Sequence, residues 1–216
     1  MGAITRSIAN NITTSGVFTS SAIDNTSVTG ITTLANAPAD GITLISSQTA
    51  SASATISFTT GIDSTYKAYK FVFVNVAPKT DSTDFTFQGS TDGGSNYGVA
   101  ITSTAFRAHV DYTGGSDQLI YLTANDLAQS TAFQTLNNGA SFDADDGTGG
   151  TLTLFNPSST TYVKHWIFNN AYVGAGDACM EGFYSGYFNT TSAINAIRFK
   201  FSSGNMDGKI YLYGIK

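Results

Sequence analysis

Residues 186–216 read GYFNTTSAINAIRFKFSSGNMDGKIYLYGIK, and this stretch decides the fold class of the chain. On both sides of a Gly-containing turn at 202–208, apolar residues occupy every second position: Ile197, Phe199, Phe201, Ile210 and Leu212. A period of two is the pattern of a β-strand with one buried face. We therefore predict two closing strands and an all-β protein whose chain ends inside a sheet.

The composition of the chain favours the same fold class. Of its 216 residues, 12% are charged and 12% are aromatic, and the chain holds 22 Gly and only 3 Pro. Many aromatic and β-branched residues with little charge suit half-buried pleated surfaces better than helices or disorder. The length fits one domain of about 150–200 residues plus an extension.

Short apolar runs alternate with loops that are rich in Gly, Asp, Ser and Asn. The runs predict strands at 42–48, 53–59, 68–76, 84–90, 98–106, 118–124, 151–156 and 161–170. Residues 125–136 are compatible with either a short helix or a loop. With the closing pair, about eight to ten antiparallel strands result, the number used by a jelly roll. We predict a jelly-roll-like β-sandwich over residues 41–216.

Residues 1–40 differ from the rest, because they form a Ser/Thr/Asn-rich segment with isolated apolar residues. A flexible linker is one interpretation of this segment. The repeated apolar anchors favour the other, an extended N-terminal arm that docks on another subunit. The predicted docking residues are Ile4, Ile8, Ile12, Val17, Ile23 and Val28.

The sequence carries no recognisable targeting signal. MGAITRSIANN lacks the apolar core of a signal peptide, and no window approaches the roughly 20 apolar residues of a membrane span. We therefore expect a protein that is made in a cytoplasm and not secreted. The net charge of −5 argues against nucleic acid or an anionic membrane as partner. Cys179 is the single cysteine, and we predict that it is a small core residue.

Four blocks of the chain carry a resemblance to a known class of proteins. They are ITRSIANN at 4–11, the run from LISSQ to VFVNV at 44–76, LTLFNPSSTTYVKH at 152–165, and residues 186–214. Together they resemble virion structural proteins of marine tailed bacteriophages. The resemblance implies a part of a virion, either a capsid decoration or a tail appendage, made in the host cytoplasm. It supplies no functional motif.

Catalytic motifs are missing from the sequence, which contains no G-x-S-x-G, no H-E-x-x-H, no Walker loop and no Cys/His zinc spacing. The two histidines are His109 and His165. In TYVKHWIF, alternation places His165 on the strand face opposite Lys164 and Trp166. Because no nucleophile motif accompanies it, we predict a buried, hydrogen-bonded histidine or a subunit contact rather than a catalytic base. We expect no enzymatic activity.

An acidic cluster lies in the loop DADDGTGG. The alternation of Asp143 and Asp145 is similar to the start of an EF-hand loop, yet no Glu stands at the twelfth position. We expect Asp143, Asp145 and Asp146 to cap the backbone or stay solvated, with weak Ca²⁺ binding as the alternative. We predict no other cofactor.

Loop tyrosines provide the other candidate binding groups. A tyrosine offers a flat apolar face together with a hydroxyl group, a combination that suits sugars. Tyr97 and Tyr112 are the candidate contacts for a glycan or receptor.

Together these features favour a non-enzymatic virion structural protein, a capsid decoration or appendage that is held by its N-terminal arm. Its partners would be other virion proteins and copies of itself, with a homotrimer expected by analogy to phage β-sandwich appendages. Two alternatives stay open. One is a receptor-binding tail fibre or spike that recognises host surface glycans, and the other is a bacterial carbohydrate-binding or glycan-cleaving module.

Overall fold

The computed structural model describes residues 41–115 and 117–216. The predicted docking arm, with Ile4, Ile8, Ile12, Val17, Ile23 and Val28, falls on residues 1–40 and so lies outside the described residues.

Twelve strands and one 3₁₀ helix make up the described part of the chain. The strands are β1 Ile42–Ser53, β2 Ile56–Phe58, β3 Ala68–Pro78, β4 Phe85–Ser90, β5 Ile101–Asp111, β6 Gln118–Tyr121, β7 Gln134–Thr135, β8 Thr148–Phe155, β9 Lys164–Gly174, β10 Ala178–Phe188, β11 Ala196–Phe201 and β12 Met206–Ile215. The 3₁₀ helix spans Thr123–Asn125.

The strands form two packed antiparallel sheets, so the predicted all-β fold and β-sandwich are confirmed. The large sheet has eight strands in the order β1-β12-β3-β8-β9-β10-β5-β6. The small sheet has four strands in the order β2-β11-β4-β7. Every pairing between named strands is antiparallel.

The chain crosses repeatedly from one sheet to the other. Strands of different sheets are joined by the connections β1–β2, β2–β3, β3–β4, β4–β5, β6–β7, β7–β8, β10–β11 and β11–β12. Such crossing is expected when two Greek keys wrap into a jelly roll. We infer a jelly-roll-like core of β1–β4, β7, β8, β11 and β12, in which β5, β6, β9 and β10 extend the large sheet.

Each of the predicted strands overlaps an observed one, and the closing pair is present as β11 and β12. Residues 125–136 do not form an α-helix. The 3₁₀ helix ends at Asn125, and the short strand β7 lies near the end of this range. The predicted number of about eight to ten strands is too low. The sequence interpretation missed β7 and β10.

Strand β10 was missed because glycines interrupt its apolar pattern, although it lies inside the large sheet. It pairs along its whole length with β9 on one side and with β5 on the other. A Cβ atom at Gly182 would collide with Oδ1 of Asn170, and one at Gly186 would lie 2.5 Å from the carbonyl oxygen of Thr102. These glycines are therefore required by close packing and do not mark a turn.

Aromatic rings fill the space between the two sheets. Phe199 of β11 is fully buried, and its ring centroid lies 5.1–6.5 Å from five other rings: Phe58, Phe71, Phe73, Phe85 and Phe87. These rings come from both sheets, and each such aromatic pair contributes about 0.5–1.5 kcal/mol beyond the burial of its area. Phe199 thus joins the sheets at their centre.

Replacing Phe199 with Ala should lower the free energy of unfolding by about 3–5 kcal/mol, because a cavity would open between the sheets. Urea denaturation followed by tryptophan fluorescence measures the change, since Trp166 lies in the same core. Phe155→Ala is the matched control, because the Phe155 side chain is 41% exposed. Equal losses for the two variants would contradict this description of the core.

Candidate binding surfaces

The large sheet presents an apolar surface on the side that faces away from the small sheet. Five of its side chains are well exposed: Leu119 (76%), Tyr121 (57%), Ile167 (47%), Phe106 (42%) and Phe155 (41%). They come from β5, β6, β8 and β9, which are brought together only by the sheet. We call these residues, together with Phe183 and Tyr187 of β10, the outer patch.

Cross-strand register makes the outer patch continuous. Phe106 pairs with both Phe183 and Tyr121 in neighbouring strands. The rings of Phe106 and Phe183 stack with centroids 4.9 Å apart and planes 11° apart. Next to them, the rings of His165 and Tyr187 lie 5.9 Å apart.

A groove of about 450 Å³ runs between the side chains of the outer patch. Its walls include Phe155, His165, Ile167 and Tyr187, and its lining is mostly apolar. Among the residues of β5, β9 and β10 that point outward, Glu181 carries the one carboxylate. The outer patch is therefore large, aromatic and poor in charge.

Two sequence predictions need correction on this side of the sheet. His165 lies opposite Lys164 and Trp166, as predicted, but it is exposed, so the buried alternative is wrong and a subunit contact stays a prediction. Cys179 is exposed, so the predicted core position is wrong. In β10 the inward positions belong to Ala178 and Met180, and the alternation turns Cys179 outward.

A second, polar pocket lies at the β6 edge of the large sheet. It has a volume of about 330 Å³, and its lining includes Arg107, Tyr121, Thr123, Asn125 and Asn138. We call it the edge pocket. Arg107 comes from β5, and the other residues follow in β6, the 3₁₀ helix and the loop after β7.

Hydrogen bonds fix the walls of the edge pocket. The side-chain amides of Asn125 and Asn138 bond to each other in both directions, with 3.1 Å from Asn138 Nδ2 to Asn125 Oδ1. Gln134 Nε2 donates to the backbone oxygen of Asn125 at 2.9 Å. The hydroxyl group of Tyr172 bonds to the backbone N–H of Asn138 at 3.2 Å. The pocket is therefore a pre-formed feature of the fold.

Several buried polar atoms beside the edge pocket have no hydrogen-bond partner. They are Nε of Arg107, the hydroxyl group of Tyr184, and both side-chain polar atoms of Asn170. Tyr184 is 2% exposed and Asn170 is 4% exposed. Burial is the first cause that raises the pKa of Tyr184, and the side chain of Asn125 and the positive charge of Arg107 act in the opposite direction.

Tyr97 precedes β5 and Tyr112 follows it, and all eleven residues of this strand pair with β10. At about 3.3 Å per residue, the strand between them is about 33 Å long. The guanidinium group of Arg198 lies 3.9 Å above the ring of Tyr97 and covers one of its faces. Tyr112 is 65% exposed. The structure does not bring the two tyrosines together.

Tyr112 is instead close to the acidic loop. Partial desolvation raises its pKa, and the negative charges of Asp146, Asp177 and Asp145 raise it further. Asp143 accepts a backbone hydrogen bond from Asp146 at 3.1 Å, as expected for a turn. Within residues 41–115 and 117–216, no group of three or more His, Cys, Asp or Glu is arranged to hold a metal ion.

No protein-family model, curated protein or solved structure matches the chain. In the described residues, no helix has the length and apolar character needed to cross a membrane.

The loop that carries Tyr97 is held by Asp92. Its carboxylate accepts hydrogen bonds from Ser90 Oγ at 2.6 Å, and from the backbone and side-chain nitrogens of Asn96 at 2.9 and 2.7 Å. The bond from Ser90 is the first cause that lowers the pKa of Asp92 to about 2. The carboxylate form thus favours the folded loop.

Because the folded-state pKa is lowered, Asp92 contributes stability above its ordinary pKa of 3.8 and loses this contribution as the pH falls towards about 2. Urea denaturation at pH 5 and pH 2.5 should show a smaller loss of stability in Asp92→Asn than in the wild type. Ser90→Ala should fall between them. An identical pH dependence in all three proteins would refute the role of Asp92.

Proposed function

We propose that this chain is a non-enzymatic structural protein of a bacteriophage virion, acting as a capsid decoration or appendage. The resemblance of residues 4–11, 44–76, 152–165 and 186–214 to virion proteins supports the proposal. The observation that carries it is the outer patch, which is a surface suited to assembly.

The chemistry of the outer patch is that of a protein interface. Monomeric proteins rarely expose large contiguous apolar areas, and larger ones mark interaction sites. Interface centres are rich in aromatic residues and poor in charge. Phe106, Phe155, Phe183 and Tyr187 supply the aromatic part, while Glu181 is the one outward carboxylate of β5, β9 and β10.

The partners in this proposal are other virion proteins and further copies of this chain, with a homotrimer as the working arrangement. The N-terminal segment contributes apolar anchors such as Ile4, Ile8 and Ile12. The groove beside Ile167 is an apolar site of about 450 Å³ on which such a segment of a neighbouring subunit can dock. The protein would be made in the host cytoplasm and act in the virion.

A charge placed in the outer patch should disrupt assembly without unfolding the domain. Ile167→Asp introduces a carboxylate at a side chain that is 47% exposed, so the cost appears only when a partner buries it. We expect at least a tenfold lower occupancy on the particle, measured by quantitative mass spectrometry of purified virions. Thr49→Asp is the control, because Thr49 is exposed on β1 at the far edge of the same sheet.

If the Ile167→Asp protein is present on the particle at normal occupancy, the outer patch is not an assembly surface. Occupancy reduced equally by Thr49→Asp would mean that added charge acts generally and not at this surface.

Deletion of residues 1–38 tests the docking role of the N-terminal segment. We expect a soluble, folded domain that no longer joins the particle, because the hydrophobic core of the described chain begins at Ala50. Circular dichroism checks the fold, and cryo-EM of the particle measures incorporation and shows whether the protein lies on the shell or the tail. Incorporation of the truncated chain at wild-type occupancy would refute docking by this segment.

A further inference from the structure

Arg107 is a half-buried cation at the edge pocket that has no carboxylate partner. Within the described chain, the ion pair that forms is between Lys79, which follows β3, and Asp207 of β12, and it does not involve Arg107. No carboxylate is among the residues that line the edge pocket, and the acidic side chains around it have other partners. Asp126 accepts hydrogen bonds from Tyr121 and from the backbone N–H of Ala105.

Asp84, the other carboxylate whose charge reaches this region, accepts the backbone N–H of Gly139 at 2.9 Å and does not pair with Arg107. A guanidinium group is strongly suited to bidentate hydrogen bonds with an oxyanion. The half-buried charge of Arg107 is therefore suited to an anionic ligand, since no carboxylate of the described chain pairs with it.

Unpartnered buried groups next to Arg107 point to a ligand as well. Buried polar atoms are almost always hydrogen-bonded in folded proteins, so those without a partner need an explanation. The hydroxyl group of Tyr184 lies close enough to Asn125 and Arg107, both in the pocket lining, for their groups to shift its pKa. Tyr184 is 2% exposed, and its hydroxyl group is near the Asn125 side chain without forming a well-aligned hydrogen bond.

The remaining lining groups suit a polyhydroxylated molecule. Asn125 and Asn138 carry amides that both donate and accept, and Thr123 adds a hydroxyl group. Tyr121 adds a ring that its bonds to Asp126 and to Thr104 hold in place. A volume of about 330 Å³ is at the small end of the range for ligand pockets, which suggests one or two sugar rings.

We propose that the edge pocket binds a sugar that carries a carboxylate, of the uronic acid type, with the carboxylate on Arg107 and the hydroxyl groups on Asn125, Asn138 and Thr123. The edge pocket lies on the inner side and edge of the sheet and shares only Tyr121 with the outer patch, so this inference does not depend on the assembly role. It also differs from the predicted glycan contacts, because neither Tyr97 nor Tyr112 lines the pocket.

The test is a titration of the ¹⁵N-labelled full chain with sodium glucuronate, with glucose as the neutral counterpart and sodium acetate as the carboxylate without a sugar. Backbone amide shifts of Thr123, Asn125 and Asn138 report binding. We expect glucuronate to bind at least tenfold more tightly than glucose or acetate, since hydrogen bonds to charged groups are the strongest.

Arg107→Gln should weaken glucuronate binding about tenfold or more, and Arg107→Lys should weaken it less because the charge is kept. The matched control is Arg198→Gln, which removes an arginine that lies over Tyr97 instead. It should leave glucuronate binding unchanged.

Equal affinities for glucuronate and glucose, or for glucuronate and acetate, would overturn the proposal. So would a wild-type affinity in Arg107→Gln, or the absence of shifts at the pocket amides with glucuronate. If Arg107→Gln does not fold, the comparison of the three probes on the wild-type chain decides the question alone. A failed assembly test with a positive titration would refute the virion role and leave the sugar site standing.

Discussion

The fold depends on the aromatic layer between the two sheets, and in particular on Phe199. The small sheet has half as many strands as the large one, so it covers only part of the inner face. The small sheet covers the large sheet only as far as β9 and β10, where Phe87 packs on Trp166 and Phe188. Beyond that line, the inner face needs another cover.

The segment between β6 and β8 provides that cover, and it does so with polar groups. Asn138 N–H donates to the hydroxyl group of Tyr172 at 3.2 Å, and Asn137 Nδ2 donates to the hydroxyl group of Thr148 at 3.0 Å, and both partners are buried on the inner side of the large sheet. The backbone N–H and C=O groups of a loop need hydrogen-bond partners that a sheet would otherwise supply. Polar side chains such as Asn125 and Asn138 are therefore expected in this segment. The change from a sheet-covered to a loop-covered region explains why a polar pocket lies beside an aromatic core.

The sequence predicted the all-β class because β11 and β12 alternate cleanly, and it placed His165 on the correct face. It failed at β10, where glycines hide the alternation, and therefore also at Cys179. Lys164 is fully buried, and its Nζ donates to the carbonyl oxygens of Tyr162 and Thr190 at 2.7 and 3.1 Å. The sequence pattern did not predict this burial. The edge pocket was missed because its residues meet only after folding. The inward position of Arg107 in β5 was the one available signal.

The two candidate surfaces meet at Tyr121 and still face different directions. A subunit that packs on the outer patch approaches Phe106 and Ile167 from the side away from the small sheet. Arg107 is on the opposite side of β5, because neighbouring residues of a strand point to opposite faces. The edge pocket opens beside β6, the last strand of the large sheet. Assembly through Phe106 and Ile167 therefore leaves the Arg107 side of the edge pocket accessible, whereas a partner that also covered Tyr121 would narrow its opening.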